Sequence, residues 1–365
     1  MPALHFVPGA ADFNEAVTGA YAFSATLAIQ DITGLATSGV TPSHIAKRLE
    51  GSAESEALLF ALTSRTAPRP LGPLGYPQLT PDDLLDIDAW VFVSLPLLED
   101  LSVLEANVTL DAAIAPLPGE PVPDSPWQEA FLLIDALSHS LHRPTRQLWV
   151  THSPGEWTPP GALERGYAAA FREDQAVFDA DAALALPAHP HRIDVFEGPG
   201  FAGFTAPATS LSDDAAQFAN LLTSASRDYP RGDLVMDTIT WDLQRIIDAG
   251  ERLGDRGGRQ LTGVCRARTA DGAETIVGLC EAVHYTSDAD TVCELGLIYV
   301  LPEYRGRGIG EALIRETIAA ARARWEKLDT VYLSYPADIA AAQSIAASLH
   351  ADTVSSTTAW QRRGT

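Results

Sequence analysis

Cysteine, basic residues and long apolar runs are all scarce in this chain of 365 residues. Its three cysteines, Cys265, Cys280 and Cys293, lie in apolar, strand-like contexts and form no Cys-x-x-Cys pair. That pattern argues against a disulfide framework and favours a reducing, cytoplasmic location. No apolar run reaches the ~18 residues of a membrane span. The first residues show no basic region followed by an apolar stretch, so we expect no signal peptide.

Positive charge is also in short supply. Lys and Arg number 25 against 48 Asp and Glu, which gives a formal net charge of −23. This excess of acid predicts that the protein binds neither nucleic acid nor an anionic membrane. It is compatible with a cationic substrate, although the need for solubility is the simpler explanation. His189 and His191 lack carboxylate or cysteine companions, so we expect no metal site.

The length of the chain suggests two domains of ordinary size. A run with two prolines and two histidines at residues 187–191 is typical of a joint between them. We therefore predict an N-terminal domain over residues 1–187 and a C-terminal domain over residues 192–365. An alanine-rich stretch over residues 161–185 predicts a helix before the joint. After it, Asp271-Gly272 predicts a β-hairpin turn.

The most informative stretch is a strand, a glycine-rich loop and a helix over residues 292–325. Residues 293–301 are apolar and rich in β-branched and aromatic side chains, which predicts a buried strand ended by Pro302. After Gly310 the apolar residues follow a helical period. Glycines in the loop let successive backbone N–H groups turn toward one point, and the helix start adds further donors. The loop is therefore suited to a pyrophosphate.

The spacing of the glycines separates this loop from other phosphate-binding loops. It lacks the Gly-x-Gly-x-x-Gly of dinucleotide-binding folds, and Glu311 stands where a P-loop needs lysine. Arg305, Gly308 and Gly310 instead satisfy Arg-x-x-Gly-x-Gly after a Val-Leu-Pro strand end. This motif resembles the acetyl-CoA motif of the GNAT family of acyltransferases. The resemblance implies acetyl-CoA as the acyl donor, with its pyrophosphate on the backbone amides of Arg305, Gly306, Arg307, Gly308, Ile309 and Gly310.

The same resemblance implies a second contact with the donor. Backbone groups of Ile298, Tyr299 and Val300 would pair with the pantetheine arm as an added strand does.

The first half of the chain repeats the strand, loop, helix, strand order of the second, at residues 104–110, 127–141 and 147–151. The whole chain thus resembles the tandem GNAT acetyltransferases, the group that includes mycothiol synthase. This implies an α+β fold of two tandem GNAT-like domains, each with a mixed, mostly antiparallel central sheet flanked by helices. The first copy lacks the motif and is rich in proline and acid, so we predict a degenerate domain that binds no CoA.

Candidate catalytic residues follow from the resemblance. Glu294 lies eleven residues before Arg305, where some family members carry a strand glutamate as base. A carboxylate in an apolar strand is costly unless it is paired or wet, although a strand-mouth glutamate facing solvent is an equally good interpretation. Many family members carry a tyrosine after the fifth strand that protonates the leaving thiolate, and Ala346 occupies that position here. Possible substitutes for this acid on the preceding strand are Tyr332, Ser334 and Tyr335. Tyr335 lies at the end of that strand, and its simpler role is packing.

On the acceptor side, Asp233 and Trp241 lie where the family's first two helices meet the substrate. They could bind an amine by charge and by cation–π contact, while cap and core roles explain them as well.

These observations favour an acetyl-CoA-dependent N-acetyltransferase that acts on a small-molecule amine, with its site in the C-terminal domain. We expect a monomer or a homodimer. The alternative is a catalytically silent acyl-CoA-binding or scaffold protein, which the alanine at position 346 and the degenerate first half favour.

Overall fold

A computed structural model describes residues 1–117, 120–188, 190–197, 213–268, 272–286 and 291–364. The chain divides into two compact units. The first unit contains Met1–Arg172, Arg231–Asp237 and Val354–Thr365, and the second contains Glu173–Pro230 and Thr238–Thr353. Each unit thus contains residues from both halves of the sequence. The predicted domain boundary between residues 187 and 192 stays a prediction.

The described residues form strands and helices in alternation. The strands are β1 Ala3–His5, β2 Ser55–Thr63, β3 Ile87–Pro96, β4 Val103–Leu110, β5 Thr145–His152, β6 Ala168–Asp179, β7 Arg192–Glu197, β8 Gly258–Arg268, β9 Glu274–Tyr285, β10 Val292–Val300, β11 Thr330–Pro336 and β12 Asp352–Arg363. The helices are α1 Ala11–Thr33, α2 Pro42–Leu49, α3 Asp124–Ser140, α4 Ala180–Ala185, α5 Asp213–Asp228, α6 Leu243–Asp255, α7 Ile309–Arg324 and α8 Ala340–Ser348.

The first unit is built on a sheet with the strand order β1-β2-β3-β4-β5-β12. Its pairs are antiparallel except β4 with β5, which is parallel. Strand β3 is buried on both faces, because its alternate side chains pack into two different hydrophobic cores. Trp90 and Phe92 pack with Tyr21 of α1, while Val91 and Val93 pack on the side of Phe131 of α3. A sheet covered by helices on both faces results.

The second unit has the strand order β6-β11-β10-β9-β8-β7, again antiparallel apart from one parallel pair, β10 with β11. On one face, Leu313 and Ile318 of α7 pack against Cys280 and Cys293. On the other face, Phe218 and other α5 residues pack against Leu279 and Tyr299. Side chains therefore alternate between an α7 side and an α5 side along each central strand.

The alanine-rich stretch over residues 161–185 is not the predicted helix. Residues 168–179 form strand β6, and only the six residues of α4 are helical. Ala176 and Phe178 are buried on one face, and the strand pairs with β11 from Glu173↔Pro336 to Asp179↔Thr330. Tertiary pairing thus overrides the helix propensity of alanine.

The predictions of the fold class, of the internal repeat and of the hairpin are confirmed. Both units have mixed, mostly antiparallel sheets flanked by helices, and both contain the repeated order of strand, helix and parallel strand, as β4-α3-β5 and β10-α7-β11. The predicted hairpin exists as β8 and β9, which pair from Gly258↔Tyr285 to Arg268↔Glu274. Asp271 of its turn lies outside the described residues, while Gly272 has the left-handed φ of 86°.

Candidate functional site

The centre of the second unit is a gap between two parallel strands. The register of β10 and β11 runs from Val292↔Thr330 to Leu295↔Leu333, and beyond it the strands part. At the same level β10 bulges against β9, between Leu295 and Ile298. A strand that loses its neighbour exposes backbone donors and acceptors, which an extended ligand can pair with. The predicted pantetheine contacts at Ile298, Tyr299 and Val300 lie on this stretch.

The glycine-rich loop closes one end of the gap. After β10, Pro302–Tyr304 make one 3₁₀ turn, and Gly306 and Gly308 follow with φ of 71° and 78°. Both angles are left-handed, which favours glycine. Gly308 caps α7, so the free N–H groups of the first helical turn lie next to the loop. A Cβ added at Gly306 would meet none of the described atoms within 4 Å, so the space above this backbone is open.

Two arginines flank the loop with their side chains held in place. Arg305 donates from Nε to the Val300 carbonyl at 2.9 Å, lies 5.4 Å over the Tyr299 ring, and approaches Asp228 at 3.6 Å. Arg307 donates to the Glu303 carbonyl at 2.8 Å. The Arg305 side chain is nevertheless 51% exposed, so its charge remains available to an anion in solvent.

Tyr299 connects the strand to α5. Its hydroxyl donates to Asp228 Oδ2 at 2.6 Å. Burial and this hydrogen bond raise the pKa of Tyr299 to about 12, while the same bond is the first cause of the lowered pKa of Asp228. The tyrosine thus stays protonated near neutral pH and connects β10 to Asp228 beneath Arg305.

Open backbone, left-handed glycines, a helix N-terminus and two exposed guanidinium groups together suit a pyrophosphate. The residues predicted to hold acetyl-CoA therefore fit the group. Within the described ranges, no cluster of His, Cys, Asp and Glu is arranged to hold a metal ion.

A row of polar side chains lies on the α5 side of the sheet, and we call it the polar face. Glu294 is exposed and stands opposite Val283 on β9 and Tyr332 on β11. Further along, Ser334 donates to Glu173 at 3.3 Å and accepts from Gln175 at 3.4 Å. The members of the polar face are Glu173, Gln175, Glu281, Glu294, Tyr332 and Ser334.

Tyr335 lies on the opposite side of the sheet from Glu294. It is buried with the residues that face α7, and its hydroxyl is 3.4 Å from Thr353 Oγ1. Alternation along β11 requires this, because Tyr332 shares the face of Glu294 and Tyr335 is three residues further on. Ala346 is buried in the same core. The structure therefore does not bring the predicted base and acid together on one face.

The two predicted acceptor residues lie in different units. Trp241 precedes α6 in the second unit, where its amide donates to Thr223 Oγ1 at 2.9 Å and Arg245 lies 5.3 Å over its ring. Asp233 belongs to the first unit, and its carbonyl accepts from Gln361 at 3.0 Å and Arg363 at 2.9 Å. Both residues thus have structural contacts of their own.

Glu281 on β9 was missed by the sequence reasoning. It is half-buried on the polar face, and its Oε1 accepts from Gln260 Nε2 at 3.1 Å. Burial raises its pKa to about 7, against the opposing effect of hydrogen bonds from the Leu297 amide and Gln260. The sequence does contain an indication of Glu281, because it is a single carboxylate in the apolar run Leu279-Cys280-Glu281-Ala282-Val283. The same reasoning identified Glu294 as a candidate.

The first unit contains a counterpart of the gap with different contents. Strands β4 and β5 pair from Val103↔Thr145 to Ala106↔Leu148, and Asn107 Nδ2 then donates to the Trp149 carbonyl at 2.9 Å across the parting strands. After β4, Asp111 accepts from Ser24 at 3.0 Å and Trp90 at 3.1 Å. A side chain thus bridges this gap, and a carboxylate stands where the second unit has its glycine-rich loop.

Comparison with known proteins agrees with this geometry. Residues 229–350 match the model of the acetyltransferase (GNAT) family. A solved tandem GNAT protein from the clavulanic acid biosynthesis pathway, without AcCoA, has a TM-score of 0.65 at 15% identity, over 99% of this chain and 98% of that chain. A GCN5-related N-acetyltransferase from Sphaerobacter thermophilus has a TM-score of 0.55 at 17% identity, over 99% and 95%. At such identities the likeness is one of fold. A comparison with curated proteins finds no match.

Proposed function

We propose that the protein is an acetyl-CoA-dependent N-acetyltransferase acting on a small-molecule amine, because residues 229–350 match the GNAT acetyltransferase family and the fold is similar to that of a tandem GNAT protein. The observation that carries the proposal is the loop of residues 305–310. It places left-handed glycines, a helix N-terminus and two exposed arginines at the end of the gap between β10 and β11.

Two groups of residues bind different parts of acetyl-CoA. The amides of the loop and the first turn of α7 hold the pyrophosphate, and the gap-facing backbone of Ile298, Tyr299 and Val300 pairs with the pantetheine arm. Bound acetyl-CoA supplies a thioester whose acetyl carbon an amine can attack.

The polar face receives the acceptor. An amine is an ammonium ion near neutral pH, and a carboxylate row on a chain of net charge −23 attracts it. Glu294 is the exposed carboxylate that meets the ammonium first, with Trp241 of the same unit as a further acceptor contact. Tyr335 is the candidate acid for the leaving thiolate.

The sequence is the basis for the proposed location, oligomeric state and metal requirement of the protein. We propose a cytoplasmic protein, a monomer or homodimer, that needs no metal. No helix in the described part of the chain is long and apolar enough to cross a membrane.

A catalytically silent acyl-CoA-binding protein is the second candidate. It is favoured by the burial of Ala346 at the usual tyrosine position and of Tyr335 in the core. Such a protein would hold the donor and leave its thioester intact.

A thiol-release assay separates the two. We expect free CoA to appear when the protein, acetyl-CoA and at least one of a panel of primary amines (spermidine, tyramine, glucosamine and lysine) are mixed. Gly308→Asp should abolish release. Gly75→Asp should not, because it places the same side chain at a glycine of the same conformation, φ 79°, in the first unit. Acetyl-CoA binding without release over the whole panel would favour the silent protein.

A further inference from the structure

Two carboxylates share the polar face next to the gap, and their surroundings differ. Glu294 on β10 is exposed, whereas Glu281 on β9 is half-buried. Glu294 stands opposite Val283, so Glu281 is its diagonal neighbour on the same side of the sheet. A carboxylate in water is a weak base near neutral pH, and burial makes a carboxylate a stronger one.

The bulge of β10 orients Glu281. Because β10 loses register between Leu295 and Ile298, the Leu297 amide turns to donate to the Glu281 carboxylate, and Gln260 holds Oε1 at 3.1 Å. Gln260 itself is fixed by a 2.9 Å contact with Thr262, the residue opposite Glu281 on β8. Neutral donors therefore fix the direction of the carboxylate.

Gly296 lies beside the other carboxylate oxygen of Glu281, Oε2. A Cβ at this position would lie 3.5 Å from Glu281 Oε2 and 3.3 Å from Glu281 Cβ, and the glycine is exposed. Gly296 is also the first residue of β10 beyond the parallel ladder with β11. Oε2 thus lies next to the residue at which β10 and β11 part, and Gly296 places no side chain over it.

We propose that Glu281 is the catalytic base of this site and that Glu294 binds the acceptor's ammonium. This inference rests on the proposed function. One proton passes from the ammonium to Glu281 Oε2. The freed nitrogen lone pair forms the C–N bond as the C–S bond breaks, and the thiolate leaves with the electron pair of that bond. The nitrogen then gives up its second proton, which protonates the thiolate, so the products are the neutral amide and free CoA. Glu281 then returns its proton to solvent.

The pKa of Glu281, raised to about 7 by burial, supports the assignment, because a base works best when its pKa is near the working pH. The groups facing it are neutral in β8 and β10, namely Gln260, Thr262 and the Leu297 amide. The titratable neighbours on the polar face are Glu294 and Tyr332.

The test compares Glu281→Gln with Glu294→Gln, using the panel amine that the wild-type protein acetylates fastest. Glu281→Gln should lower kcat by roughly 10²–10⁴ with little change in the KM for the amine, and it should remove the limb of the pH–rate profile near pH 7. Glu294→Gln should raise that KM at least tenfold and keep the limb. Both variants should keep the thermal shift by acetyl-CoA.

A readout on the free protein accompanies the kinetics. Carboxyl ¹³C NMR of glutamate-labelled protein should show one side chain titrating near pH 7, and Glu281→Gln should remove that signal. Gly296→Ala keeps every charge and shields Oε2. It should lower kcat and move the titration to higher pH, which tests the idea if Glu281→Gln does not fold.

Two results would overturn the assignment in distinguishable ways. Wild-type activity in Glu281→Gln, with the limb near pH 7 intact, removes Glu281 from the mechanism and leaves the proposed function standing. Binding of acetyl-CoA by the wild-type protein without transfer to any panel amine refutes the proposed function, and the role of Glu281 with it.

Discussion

Replacing Glu281 with Gln should change how the stability of the second unit depends on pH. The folded-state pKa is raised from the ordinary value of 4.5 to about 7, chiefly by burial. A carboxyl with a raised pKa stabilises the fold while it is protonated, so this contribution is present below pH 4.5 and is lost as the pH rises through 7. Glutamine is neutral throughout and shows no such loss.

The magnitude follows from the shift. About 2.5 pKa units at 1.36 kcal/mol each correspond to about 3 kcal/mol of free energy of unfolding, lost between pH 4.5 and pH 8. Relative to the wild-type protein, Glu281→Gln should therefore gain about 3 kcal/mol over this range. Other titrating groups are shared by the two proteins and cancel in the difference. The buried Asp83, whose pKa is lowered to about 2, acts only at lower pH.

Hydrogen exchange measured by mass spectrometry is the suitable assay, because a chain of two compact units need not unfold in one step. Peptides from β8 and β9 report the opening free energy of the second unit, after correction for the intrinsic pH dependence of exchange. Peptides from β2 and β3 serve as the internal control and should show no difference. A difference between the two proteins that is flat from pH 5 to pH 8 would refute a half-buried Glu281 that holds a proton near neutral pH.

Three further predictions concern other residues. Glu294→Gln should raise the KM for the amine while kcat is kept, and a fall in kcat of roughly 10²–10⁴ at unchanged KM, shrinking at high pH, would instead make Glu294 the base. Calorimetry should give one acetyl-CoA per chain, because Asn107 and Asp111 occupy the first unit's counterpart of the site, and two equivalent sites would contradict this. Asp83→Asn should destabilise the first unit by about 3–5 kcal/mol in urea denaturation, since it strands Arg69, 2.6 Å away and only 4% exposed. A loss below 1 kcal/mol would show that this pair is dispensable.

The loop of residues 305–310 could be predicted from the sequence because the residues that determine its conformation are neighbours in the chain. Left-handed glycines, the strand end at Pro302 and the helix that follows are all encoded within a few neighbouring residues, and the structure places Gly306 and Gly308 at positive φ as that pattern requires. The order of elements in the two halves is readable for the same reason.

Features that depend on distant pairing could not be predicted. The helix expected over residues 161–185 is largely strand β6, because β11 supplies a partner more than 150 residues away in the chain. The face on which Tyr335 lies follows from the register of β11 with β10. Glu281 gains its surroundings from a bulge in β10 and from Gln260 on β8, neither of which the residues around position 281 indicate.

The proposed acetyltransferase function requires that the loop of residues 305–310 holds the acyl donor. Thermal unfolding with and without acetyl-CoA tests it on three proteins: wild type, Gly308→Asp, and the control Gly75→Asp, whose glycine has φ 79° against 78° at Gly308. At a ligand concentration of 100 times Kd, binding stabilises the native state by about 2.7 kcal/mol. The wild-type protein and Gly75→Asp should show the corresponding rise in Tm, and Gly308→Asp should show none, because its side chain fills the loop with negative charge. An equal rise in all three proteins would contradict the assignment of the donor to this loop.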